Sequence, residues 1–176
     1  MNRDDRVRCI GIRRRTNIAA QTKLMNRIGD QMNEQPISTD SQLKVDRIEA
    51  FLAEEGYEVS GADENVLKIK DLDSGIVLQA ALEDNILFLT ILCKTVSANE
   101  ITPEIMHKML KSDNNISTSS FQLYKREDGR VAITLNNFCK LQTLGEDDRD
   151  DILSCVVFLL IDVLAANKLL GELAVT

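Results

Sequence analysis

Ile76-Val77-Leu78-Gln79-Ala80-Ala81-Leu82-Glu83-Asp84-Asn85-Ile86-Leu87-Phe88-Leu89-Thr90-Ile91-Leu92-Cys93-Lys94 is the stretch that decides the fold class. Its first part alternates. Ile76, Leu78, Ala80 and Leu82 fall on one face of a strand, because successive strand side chains point to opposite sides. Glu83-Asp84-Asn85 has turn chemistry. The second part, Ile86 to Lys94, is aliphatic and β-branched on both faces, which predicts a strand covered on both sides. Strands joined by so short a turn pair antiparallel, since a parallel partner needs a crossover of about a dozen residues.

Outward toward the N-terminus, Val66 to Lys70 also alternates, with Leu67 and Ile69 on one side and Lys68 and Lys70 on the other. Asp71 to Gly75 and Gly61 to Asn65 read as turns, and Tyr57 to Ser60 as a short strand. Before them, Thr39 with Gln42 fits a capping box, and Val45, Ile48 and Leu52 share a helical face with Phe51 beside it. Gly56 suits the left-handed residue that ends such a helix. Toward the C-terminus, Thr102-Pro103-Glu104 is a helix start, with Ile105, Met106, Met109 and Leu110 as its apolar stripe. Ser120 to Arg126 and Arg130 to Phe138 form a hairpin closed at Asp128-Gly129.

The last helix opens in the acidic run Glu146 to Asp151, read as a solvated helix start that complements the helix dipole. It then carries two apolar stripes. Ile152, Val156, Leu159 and Val163 form one, and Leu153, Val157, Leu160 and Leu164 the other. A surface helix needs only one. The sheet covers the first stripe, and a second layer or a second copy of the chain is expected on the other. The longest apolar stretch, Ile152 to Ala166, is broken by Asp162 and reads as too short for a membrane span.

These elements predict an α+β domain over residues 38–176, an antiparallel sheet packed against helices in the order α-β-β-β(-β)-α-β-β-α. Residues 1–37 read as a separate basic arm, partly flexible or weakly helical, with Arg13-Arg14-Arg15 at its centre. The arm is either a basic tail for an anionic surface or a leader without a role, and the body is expected to fold without it. The charge divides accordingly: the arm has eight Lys/Arg and four Asp/Glu, the remainder thirteen Lys/Arg and twenty-four Asp/Glu. An acidic body repels phosphate backbones and anionic lipid, and aromatics at 4% supply few base-stacking platforms. Neither a nucleic acid nor a membrane is therefore an expected partner. A basic segment of another protein is.

The chemistry of catalysis is thin. His107 has no nucleophile that can be tied to it. Cys9, Cys93, Cys139 and Cys155 form no CxxC pair, so no metal is expected, and no glycine-rich phosphate loop points to a nucleotide or other cofactor. The opening Met1-Asn2-Arg3-Asp4-Asp5 lacks an apolar leader core, and a reducing cytoplasmic compartment is expected.

The helix Val45-Asp46-Arg47-Ile48-Glu49-Ala50-Phe51-Leu52 with Gly56-Tyr57-Glu58-Val59 behind it, the paired strands, the Ile101-Thr102-Pro103-Glu104 start and the apolar last helix together resemble the type III secretion chaperone fold and its YbjN-like relatives. The resemblance spans about residues 40–171. It implies a small, acidic, cytoplasmic homodimer that holds an extended client segment without ATP, and no enzyme. A regulatory or scaffold protein of the same fold with a fixed partner is the alternative. An enzyme working through carboxylates alone, such as Glu83 and Asp84, ranks last. Ile76, Leu78 and Leu82 are taken as core, so the opposite strand faces, Val77, Gln79, Ala81, Gln122 and Tyr124, are the expected partner-binding surface.

Overall fold

The computed structural model describes residues 39–172. Helix α1, Thr39–Glu54, leads into strands β1, Glu58–Asp63, β2, Val66–Lys70, β3, Val77–Glu83, and β4, Ile86–Ser97. A 3-10 turn and helix α2, Pro103–Leu110, precede the hairpin of β5, Ser120–Lys125, and β6, Arg130–Lys140. Helix α3, Glu146–Glu172, is the last described element. The strands form one six-stranded antiparallel sheet in the order β1-β2-β3-β4-β6-β5. This is the expected α+β architecture, with the four-strand form of its first run. The expected basic arm lies outside the described residues. So do Cys9 and the side chains of Thr39 and Gln42, and with them the capping box.

Local chemistry explains the boundaries. α1 ends where Gly56 takes φ 92°, with Tyr57 N–H donating to Leu52 O and Gly56 N–H to Ala53 O, both at 3.1 Å. These two bonds satisfy carbonyls that a helix end otherwise leaves bare. The Thr102 hydroxyl accepts from Ile105 N–H at 3.3 Å at the start of α2, with Pro103 in the first turn. Gly129, at φ 78°, turns the β5–β6 hairpin. Two strands run longer than their sequence suggests. Gly61 to Asp63 stay paired in β1 through a bulge, and β4 continues past a bulge at Leu92/Lys94 to Ser97. A bulge lets pairing resume after an irregular residue, so a turn-like composition need not end a strand.

The three described α-helices lie on one face of the sheet. From α1, Val45, Ile48, Phe51 and Leu52 meet Leu67, Ile69, Leu78, Ala80, Leu82, Leu87, Leu89, Ile91 and Leu135 of the sheet. α3 adds Ile152, Val156, Leu159, Val163 and Ala166. Each such aliphatic side chain contributes about 1.5–3 kcal/mol by leaving water. A second cluster gathers Val96, Met109, Ile133 and Leu170 under α2. Of the expected α2 stripe, Met109 is buried and Ile105 half-buried, whereas Met106 and Leu110 face solvent, because a helix of eight residues reaches the core with little more than one turn.

α3 departs from its sequence reading in two respects. It is long and apolar enough to cross a membrane by length and composition, since it runs past Asp162 and Ala166 to Glu172. Here it lies along the sheet with its first stripe in the core. Asp148 belongs to no solvated run. It is buried, accepting the N–H groups of Gln142 at 2.9 Å, Thr143 at 2.8 Å and Leu144 at 2.6 Å, and so folds the β6–α3 loop onto the helix start.

Candidate functional site: the open face of the sheet

Strand alternation puts every second side chain on the face turned away from the helices. Cross-strand register sets them in rows. Val66, Ala81, Phe88 and Phe138 form one row. Lys68, Gln79, Thr90, Asn136 and Ser120 form the next, and the Leu92–Thr134–Gln122 row follows it. Among the described residues no element crosses this face, yet its middle is not accessible: Val66, Phe88, Thr90, Ala132, Thr134 and Asn136 are all buried.

Leu92 is 54% exposed and Phe138 55% exposed. Phe138 leans on Phe88, with ring centroids 6.3 Å apart at 43°. Between these apolar groups runs a buried polar ladder: the Thr90 hydroxyl donates to Asn136 Oδ1 at 2.7 Å, and Asn136 Nδ2 donates to Thr134 Oγ1 at 2.8 Å. These polar atoms satisfy one another in the sheet, so they demand nothing from a ligand. The surface offers two apolar projections over a pre-organised polar floor, which suits a reversible contact with a segment of another chain.

The five residues expected here do share this face, but not as one patch. Val77, Gln79 and Ala81 stand on β3 and Gln122 and Tyr124 on β5, with β4 and β6 between them. At about 4.8 Å per strand step, the two groups lie about 14 Å apart. Val77 is 39% exposed, and the other four are half-buried. The Tyr124 hydroxyl donates to Gln122 Oε1, and burial pushes the phenol up to about 12. Sequence reasoning missed the centre: Phe88, Thr90, Leu92, Asn136 and Phe138. The signal was present as a second alternation, Phe88, Thr90, Leu92, interleaved with the core set Leu87, Leu89, Ile91. It was masked because Phe88 and Leu92 are as apolar as the core set. The forecast that β4 is covered on both sides holds at Phe88 and Thr90 and fails at Leu92.

A second apolar surface lies on α3. Its expected outer stripe divides: Leu153 and Leu160 tuck against the core, while Val157 and Leu164 stay out. Phe158 and Ile161 join them, so the outward face is Val157, Phe158, Ile161 and Leu164. Elsewhere, a cleft of about 380 Å³ between α1 and the start of α3 is lined by Arg47, Phe51, Glu54 and Arg149. Arg149 caps it, stacked 4.7 Å over the Phe51 ring and paired with Glu54 at 2.9 Å. Among the described residues no cluster of His, Cys, Asp or Glu is placed to hold a metal ion.

No protein-family model matches this chain, and no curated protein sequence does. Solved structures do. A chain of the HopA1–SchA chaperone–effector complex matches with a TM-score of 0.52 at 12% identity, over 76% of this chain and 99% of that one. A chain of the heterodimeric ExoU–SpcU complex from the type III secretion system of Pseudomonas aeruginosa matches with a TM-score of 0.46 at 12% identity, over 72% and 96%. The fold is thus type III secretion chaperone-like, as the sequence resemblance implied.

Proposed function

We propose that this chain is a non-enzymatic, chaperone-like protein-binding module of the cytoplasm that holds a segment of a client protein on the open sheet face, without ATP. The observation that carries the reading is that Leu92 and Phe138, on the sheet face turned from the described helices, are each more than half exposed. Each already hides almost half its surface, so a bound segment would recover about 1–1.5 kcal/mol per side chain. The sheet floor stays folded when empty because its polar groups are already paired. The fold is one that also occurs in the HopA1–SchA chaperone–effector complex.

The same reading assigns the α3 surface to a second copy of the chain. Val157, Phe158, Ile161 and Leu164 form a stripe at helical spacing, and antiparallel or crossed packing of two such stripes makes a self-complementary dimer contact. The client face and the dimer face then lie on opposite sides of the sheet and do not compete.

The test is purification of the tagged chain from its own cells, with Leu92→Asp/Phe138→Asp beside it. The native chain should bring down one stoichiometric partner and the double variant none, at a melting temperature within a few degrees of native. A partner retained by the folded double variant would place binding elsewhere. Absence of any partner from the native chain would end the reading.

A further inference from the structure

Three cysteines stand among the described residues, and all are free thiols. Cys93, on β4, is half-buried, and burial pushes its thiol up to about 11. A thiol so raised stays neutral and unreactive at ordinary pH. The other two meet. Cys139, near the end of β6, joins the core at 7% exposure. Cys155, on α3, packs against the same core and is half-buried. Its Sγ lies 3.7 Å from the carbonyl oxygen of Phe138, the residue before Cys139, and the two thiols hydrogen-bond to each other.

Helical spacing explains why Cys155 is both in contact and reachable. At about 100° per residue it sits about 70° round α3 from the centre of the buried stripe Ile152, Val156, Leu159, Val163. It sits about 130° from the centre of the outward stripe Val157, Phe158, Ile161, Leu164. Cys155 is therefore on the flank, where the helix surface leaves the sheet. Its neighbours Asp151 and Ser154 are exposed. A second copy seated on the outward stripe leaves this flank open to a small oxidant.

Two cysteines packed as small apolar groups would need nothing more. This pair also divides its roles. The Cys139 S–H, donated to Cys155, draws that thiol below the usual cysteine range, against burial and the Asp151 charge. The same bond, with burial, pushes Cys139 upward and keeps its proton in place. The reachable sulfur is thus the readier thiolate, and the buried one is a thiol held beside it. We propose that Cys139 and Cys155 are an oxidation site, joined in a reversible intramolecular disulfide that ties α3 to the end of β6 when a peroxide reaches Cys155. The Cys155 thiolate attacks one peroxide oxygen: an S–O bond forms, the O–O bond breaks, and hydroxide leaves, taking up the proton the thiol gave to water. Cys139 then attacks the sulfenic sulfur: the S–S bond forms, the S–O bond breaks, and the departing hydroxide takes the Cys139 proton. Two thiols and one hydrogen peroxide give one disulfide and two waters. A dithiol reductant reverses the bond by exchange, so in a reducing compartment the pair rests as thiols. The site is independent of where a client binds.

The test treats the full chain with a small excess of hydrogen peroxide, blocks free thiols and digests without reductant. Trypsin cuts after Arg130, Lys140, Arg149 and Lys168, so mass spectrometry should find peptide 131–140 joined to peptide 150–168. Dithiothreitol should part them. The oxidised chain should run as a single copy on a non-reducing denaturing gel. Its Tm should rise by roughly 5–10 °C, since the bond closes a loop of about 15 residues. Cys139→Ala should leave a dimedone-reactive sulfenic acid on Cys155 and slow its alkylation by iodoacetamide at neutral pH several-fold, because the donated S–H is gone. Cys155→Ala should abolish the joined peptides and leave Cys139 unmodified. Cys155 carried to sulfinic acid with no joined peptide would overturn the proposal. So would a bond formed mainly to Cys93, to Cys9 or between copies, or two thiols untouched where free glutathione is oxidised. An oxidised chain that melts no higher than the reduced one would overturn it as well.

Discussion

A carboxylate in the middle of an apolar helix needs partners, and Asp162 finds them in the loop before β5. Its two oxygens accept the N–H groups of Ser117 at 2.9 Å, Thr118 at 3.1 Å and Ser119 at 2.9 Å, and the Ser117 hydroxyl at 3.0 Å. Burial pushes this carboxyl upward, but the N–H groups of Ser117, Ser119 and Thr118 outweigh it and hold it below the usual carboxylate range. A folded value below the unfolded one means that the stabilisation is fully present above the ordinary aspartate range and fades as pH falls through the depressed value. Asp162→Asn keeps one acceptor and turns an NH₂ toward the Thr118 and Ser119 N–H groups. It should cost about 2–3 kcal/mol by urea unfolding at neutral pH, because buried donors are left without partners. The gap between native and variant should narrow below about pH 4. A variant as stable as native, or a gap independent of pH, would refute the role. Asp148 does the same work for the β6–α3 loop. Both acids lie in the sequence as conspicuous charges, yet neither shows which backbone it will meet, since their partners come from loops whose path the rest of the fold sets.

At the scale of elements, α3 shows how far periodicity reads. The stripe Ile152, Val156, Leu159, Val163 enters the core as its spacing predicts, each residue buried. The neighbouring stripe is divided, because a flat sheet wraps more than one row of a cylinder but less than two. Leu160 falls on the near side of that line, Ile161 and Leu164 on the far side. Two substitutions separate these roles. Val156→Asp places a carboxylate where nothing can solvate it and should unfold the domain, a loss above about 4 kcal/mol. Ile161→Glu, at a site 54% exposed, should move stability by no more than about 0.5 kcal/mol while reducing the light-scattering mass from dimer to monomer. A dimeric Ile161→Glu chain, or a native chain that is monomeric at micromolar concentration, would withdraw the α3 surface as the dimer contact. β4 gives the complementary lesson. Its core set Leu87, Leu89, Ile91 and the opposite residues Phe88 and Leu92 are alike in hydrophobicity, so alternation cannot say which side the helices take.

For the whole molecule, the described core closes between Val45 and Leu170. A chain beginning at Met32 should therefore melt within a few degrees of the full chain by calorimetry, and a large loss would mean that residues before Met32 pack on the body. The sequence by itself determined the element types and their order, because side-chain period, glycine and proline positions and cap residues act over a few neighbours. It also determined that Leu78, Leu82, Ile69 and Ile48 are core, since each stands on a face with one clear apolar period. Only the tertiary structure decided where β6 inserts, and with it that Phe138 would stand beside Phe88 and that Val77 and Tyr124 would be parted by two strands. It alone decided which charges the two faces of the sheet carry. Net charge is a sum over residues, whereas the charge of one sheet face depends on which of them the strands send to that side, and the β4–β6 pairing that joins the two halves of the sheet is long-range, set by no hairpin turn.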